Sequence, residues 1–256
     1  MPGRFDVVFA CLLVVVIPVV EHLYFWRRFR REVAAGRPGA RTRAYRRIAV
    51  GEWLFAVIAI AIWMTHERPW SALSLSLPDG WRLAGGAILD FLALALIIVQ
   101  VVSVMRLSAE KRAAARPQLG SLEFMLPRTR AEQSWFLMLS ATAGFCEELL
   151  YRGYLPWLFT PLLGATGAMI LAVIIFGIGH AYQGIRGAVK ATIAGAALGV
   201  VVIATRSLIP AMILHALIDA AGGTVGYMVL RDERGSDSSR HVEADAVIPP
   251  PAPGIG

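Results

Sequence analysis

Seven long apolar runs, with most of the arginines lying between them, constrain this chain more than any other feature. They are Val7–Trp26, Ile48–Met64, Leu83–Met105, Ser134–Leu150, Ala165–His180, Ala188–Thr205 and Ile209–Leu230. The longer ones approach the roughly 20 residues that a helix needs to span a bilayer core. Composition agrees: 57% of the 256 residues are hydrophobic and 17% charged, and mean hydropathy is +0.60. Soluble domains carry about 45–50% apolar and about 25% charged residues. The chain is therefore expected to be all-α, a polytopic transmembrane bundle of about 7–8 membrane helices. The eighth is a short interfacial or re-entrant piece at Leu155–Leu163, suggested by Pro156 and Pro161.

The charges set orientation. Formal net charge is +7, carried almost wholly by arginine between the apolar runs, which fits membrane topology and lipid headgroups and makes nucleic acid an unexpected partner. Nine arginines lie in Arg27–Arg47 and a second basic group in Arg106–Arg130, whereas Thr65–Arg82 holds Arg68 and Arg82. The positive-inside rule puts both basic loops in the cytoplasm and the N-terminus outside. Seven crossings then leave the C-terminus cytoplasmic, in a protein of the cell membrane. No small-residue cleavage site follows the first run, so it reads as an uncleaved anchor. Three regions are expected: N-terminal helices with basic loops over 1–131, a polar-bearing core over 132–228, and a charged, proline-rich, disordered tail over 231–256. Cys11 and Cys146 both lie in apolar runs and form no framework. Cys146 adjoins Glu147, but a lone membrane cysteine is ordinarily a small hydrophobe.

Ionisable residues inside apolar helices are costly and must face one another or water. They concentrate in the second half: Glu147, Glu148 and Arg152, then His180, then His215 and Asp219. Glu148 and Arg152 are four apart and share a helix face, while Glu147 points about 100° away with Tyr151. One carboxylate is thereby neutralised and one left free. His215 and Asp219 share a face too, so the acid is expected to fix the imidazole tautomer. Tyr151 and Tyr154 read as interface aromatics, and Glu21 and His22 as interfacial groups.

The ordered motifs E-E-x-x-x-R (Glu147, Glu148, Arg152), F-x-x-x-H (Phe176, His180) and H-x-x-x-D (His215, Asp219) resemble the CPBP family, the Abi-type intramembrane proteases related to CAAX-prenyl endopeptidases. The resemblance spans Glu132–Tyr227. That family often has Asn where Asp219 stands. The resemblance implies hydrolysis of peptide bonds in membrane-associated proteins or peptides. It makes Glu147, Glu148, His180, His215 and Asp219 the candidate catalytic set, with Arg152 and Phe176 in support. Glu147 would be the general base, His180 would bind the water or a metal, and His215 and Asp219 would stabilise the oxyanion. Zinc, held by His180, His215 and Glu147, is the candidate cofactor, beside a metal-free water. The alternatives are an ion- or proton-coupled transporter and an inactive relative serving as an immunity or scaffold protein. Crowding of ionisable residues into one half, without an inverted repeat, favours the enzyme over the transporter.

Overall fold

The computed structural model describes residues 2–231; the expected disordered tail lies outside them. All regular structure among the described residues is helical. The principal elements are α1 (Arg4–Ala34), α2 (Ala40–Thr65), α3 (Gly80–Met105), the short α4 (Ala109–Ala115), α5 (Arg130–Glu148), α6 (Leu155–Gly179), α7 (Gly184–Thr205) and α8 (Ile209–Arg231). Five stretches are long and apolar enough to cross a membrane, by length and composition. The sequence-based count of seven to eight differs because Arg130–Thr205 runs as one tract of 76 residues.

That tract is not straight. From α5 it passes through a wide π-helical turn, Leu149–Tyr154, into α6. It breaks inside α6 at Gly164 (φ 68°, ψ 168°) and again at Gly184 (φ 79°), where α7 begins, a backbone conformation open to glycine. The expected separate piece at Leu155–Leu163 is instead a direct continuation of α5. Its first proline, Pro156, is accommodated by the wide turn. A proline ring clashes with the carbonyl four residues earlier, and for Pro156 that carbonyl belongs to Arg152, inside the turn. Pro18 stands in the same relation to Val14 and the wide turn Leu12–Val16 of α1.

Residue pairings give the helix directions. Phe9 packs on Phe55 and Arg47 on Phe25, so α1 and α2 are antiparallel. Tyr45 packs on Phe136 and Trp63 on Tyr154, so α2 and α5 run parallel. Gly144 lies against Met212 and Ala216, and Gly223 against Phe136, so α5 and α8 are antiparallel, as are α6 and α7. Two distinct ends result. At one, Asp6 accepts both Arg68 amines (2.8 and 2.7 Å) and the Tyr154 hydroxyl (2.6 Å), while the Leu208 amide donates to the Ser74 carbonyl at 2.8 Å. At the other the two basic loops meet. Arg41 donates to the Phe124 carbonyl at 3.0 Å, Arg30 donates to the Tyr182 carbonyl, and Trp26 stacks on Tyr182 at 3.6 Å. There the Arg116 guanidinium beside Glu123 holds its carboxyl below the usual carboxylate range.

Tyr154 is fully buried and bonded to Asp6. It is a core anchor rather than the interface aromatic its sequence position suggests. The outer surface is apolar along α3, where Ile88, Phe91, Leu96 and Val99 are all exposed. A helix in lipid can leave such side chains exposed because the surrounding acyl tails are as apolar as they are.

Candidate active site

The carboxylates of α5 meet the histidine of α8, and the spacing of these two helices depends on one residue without a side chain. A Cβ built on Gly144 of α5 would stand 2.7 Å from the Met212 carbonyl oxygen and 2.9 Å from the Ala216 amide of α8. Small residues permit such close backbone approach in lipid. The contact lies one turn from Glu148 on α5 and beside His215 on α8, so it sets their separation. Gly144→Ala is expected to destabilise the fold by about 3 kcal/mol, the upper end of overpacking, because backbone rather than a flexible tip must move. Thermal unfolding in detergent checks this. Gly222→Ala, where nothing lies within 4 Å, is the control expected to melt like the wild type.

Glu148 is fully buried and its Oε1 accepts twice, from the Arg152 guanidinium at 2.8 Å and from His215 Nδ1 at 2.7 Å. A carboxylate can only accept, so the imidazole proton on that side belongs to Nδ1. This corrects the expected partner: Glu148, from another helix, fixes the His215 tautomer, and Asp219 stands on the opposite nitrogen. His215 Nε2 faces Glu147 Oε2 at 3.6 Å and Asp219 Oδ2 at 3.7 Å. Both separations exceed a direct hydrogen bond. The side chains of Glu147 and Asp219 keep 19% and 42% of their exposure, against 0% for Glu148. The free carboxylates thus face an accessible space, and the engaged one is sealed.

Phe176 does more than line a wall. The Arg152 guanidinium lies over its ring at 4.0 Å, a cation–π contact that serves a guanidinium with two nitrogens otherwise unpartnered among the described residues. His180 packs against the same ring at 4.4 Å and His215 at 6.1 Å. His180 is oriented by its Nδ1, which donates to the Phe176 carbonyl at 2.9 Å, leaving Nε2 free. Asp219 is within electrostatic range of Glu147, His180 and His215. Gly195 of α7 makes room for this assembly, since a Cβ there would meet the Arg152 guanidinium at 2.6 Å. All seven residues singled out by the motifs therefore lie in one contiguous cluster drawn from α5 with its wide turn, α6 and α8.

The zinc expectation does not fit this geometry. Among the described residues no three His, Cys, Asp or Glu side chains gather as a metal-ligand set. His180, His215 and Glu147 are accordingly not assigned as metal ligands. Cys146 is fully enclosed in the apolar core, where it acts as a small hydrophobe.

Two further acids join the electrostatics of the site: Glu21, read from the sequence as an interfacial group, and Glu52, to which the sequence assigned no role. Glu21 and Glu52 come from α1 and α2, and the charge of Glu147 reaches both. The signal for Glu52 was available. It falls on the buried stripe Tyr45, Ala49, Ala56, Ala59 and Trp63 of α2.

A family model described as Rce1-like, type II CAAX prenyl endopeptidase, matches residues 130–221. The match bears out the resemblance carried by the three motifs and covers all seven clustered residues. Neither a curated protein nor a solved structure matches the chain.

Proposed function

We propose that this chain is an intramembrane endopeptidase that hydrolyses peptide bonds of membrane-associated proteins or peptides, with a water activated by Glu147 and histidine. The observation that carries the reading is the division of labour between adjacent carboxylates. Glu148 is spent on Arg152 and His215, whereas Glu147 stands free at 3.6 Å from the outer nitrogen of that same imidazole.

In this mechanism a water held between Glu147 and His215 Nε2 gives a proton to Glu147, and its oxygen attacks the scissile carbonyl carbon. His180 and His215, whose Nδ1 protons are already given to Phe176 and Glu148, stabilise the oxyanion in their imidazolium form, each donating from Nε2. The C–N bond then breaks, and Glu147 returns the proton to the departing amine. Arg152 and Glu148 hold His215 and take no part in proton transfer. Apolar walls around the site strengthen each of these interactions by excluding bulk water. Residues 132–228 form the peptidase core in this reading. The experiment is hydrolysis of membrane-seated peptides by the purified chain in proteoliposomes.

The same proposal includes topology. The breaks at Gly164 and Gly184 turn Arg130–Thr205 into three passes, for seven in all. The basic end would face the cytoplasm of a cell membrane, with the N-terminus outside and the C-terminus inside. A single cysteine at position 74, in a background lacking Cys11 and Cys146, is expected to label with an impermeant maleimide from outside. Labelling only from the cytoplasmic side would overturn this topology.

A further inference from the structure

We propose that Glu52 is a specificity-determining residue that reads a cationic side chain, lysine or arginine, beside the bond cleaved at Glu147; this rests on the peptidase reading above. Glu52 comes from α2, outside the segment matched by the family model.

Its position follows from helix geometry. Residues of α2 face residues of α5 about 91 positions later, as Tyr45 does Phe136 and Trp63 does Tyr154. The neighbouring Trp53 locks this register, stacking on Phe145 at 5.2 Å and donating to Thr142 at 3.3 Å. Glu52 is thus level with Ala143, one helical turn from Glu147. The small side chains of Ala49 and Ala56 on either side bring the two helices close.

The second observation is an unmet bond. Glu52 Oε2 is sealed from solvent and has no hydrogen-bond partner among the described residues. The charges that act on Glu52 most strongly are all carboxylates: Glu147, Asp219 and Glu21. Arg152 is committed to Glu148 and Phe176, and Arg47 acts on Glu21. A buried acid among other carboxylates is charged only where a cationic donor pairs with it, and a bound lysine or arginine supplies that donor.

A peptide held extended at Glu147 supplies that donor. Adjacent Cα atoms are about 3.8 Å apart, and one helical turn is about 5.4 Å. A long basic side chain next to the scissile bond bridges from Glu147 to Glu52 with its stem against the apolar wall. A metal ion would need a tighter gathering of ligands than Glu52, Glu147 and Asp219 make.

The test uses the full chain in proteoliposomes and peptides identical except for Lys, Arg, norleucine or Glu beside the cleaved bond. Cleavage rates are measured, and binding is read by fluorescence anisotropy on versions with an N-methylated, uncleavable bond. The wild type is expected to favour Lys and Arg over norleucine by about tenfold, as one charge-assisted hydrogen bond gives, with Glu poorest. Glu52→Gln is expected to lose that preference in both series. Absence of preference in the wild type, or a preference that survives Glu52→Gln, overturns the proposal. If no peptide is cleaved, the peptidase reading fails, while the anisotropy series still decides the role of Glu52. Should Glu52→Gln not fold, Glu52→Asp, one methylene shorter, is expected to shift the preference from lysine toward the longer arginine; an unchanged profile overturns the proposal.

Discussion

Arg152→Ala is expected to destabilise the folded bundle by about 3–5 kcal/mol, the usual cost of removing one partner from a buried ion pair. Both side chains are fully buried, and the pair is 2.8 Å long. Without Arg152, Glu148 Oε1 keeps only His215 Nδ1 among the described residues, where its Oε2 already lacks a partner. The Phe176 ring loses the guanidinium over its face as well, so His180 and His215 lose a shared support. Arg152→Lys is expected to recover only part of the loss, since a point charge cannot cover the ring and reach the carboxylate with the same planar fork. Thermal unfolding and monodisperse yield in detergent measure both. A melting profile equal to the wild type for Arg152→Ala would contradict the buried pair.

For Glu147→Gln the expected result is opposite in kind: peptide cleavage falls by about 10²–10⁴-fold, and folding is preserved. Glutamine keeps the shape and can still hydrogen-bond, but it cannot take a proton from water. Among the described residues Glu147 makes no bond shorter than its 3.6 Å approach to His215, so its replacement leaves no described buried group without a partner. Glu148→Gln is expected to lose stability along with activity, because it removes the charge that holds Arg152 and His215. The contrast between adjacent glutamates, one functional and one structural, is read by measuring rate and melting temperature on the same preparations.

The features legible in the sequence were those that depend on local spacing. Apolar runs reported the helices, and i,i+4 spacing reported the Glu148–Arg152 pair, since both belong to one stretch of helix. Contacts between helices far apart in sequence were not legible. His215 takes its tautomer from Glu148, 67 residues away, rather than from the nearby Asp219. Asp6 is secured by Arg68 and Tyr154, 62 and 148 residues distant. The proline-marked Leu155–Leu163 continues α5, because a wide turn absorbs the clash that a regular helix would not. Glu52 was within reach, since it repeats the spacing of Tyr45, Ala49 and Ala56. Only the packing of α2 on α5 shows that this stripe faces the glutamates.

The most direct test is mass spectrometry of a membrane-seated peptide incubated with the purified chain in proteoliposomes, with proton flux followed on the same vesicles. The expected result is paired product fragments from one bond, which vanish with Glu147→Gln, and no proton flux above that of empty vesicles. An intact peptide together with a Glu147-dependent proton flux would contradict the peptidase account and make the buried glutamates and histidines a transport path.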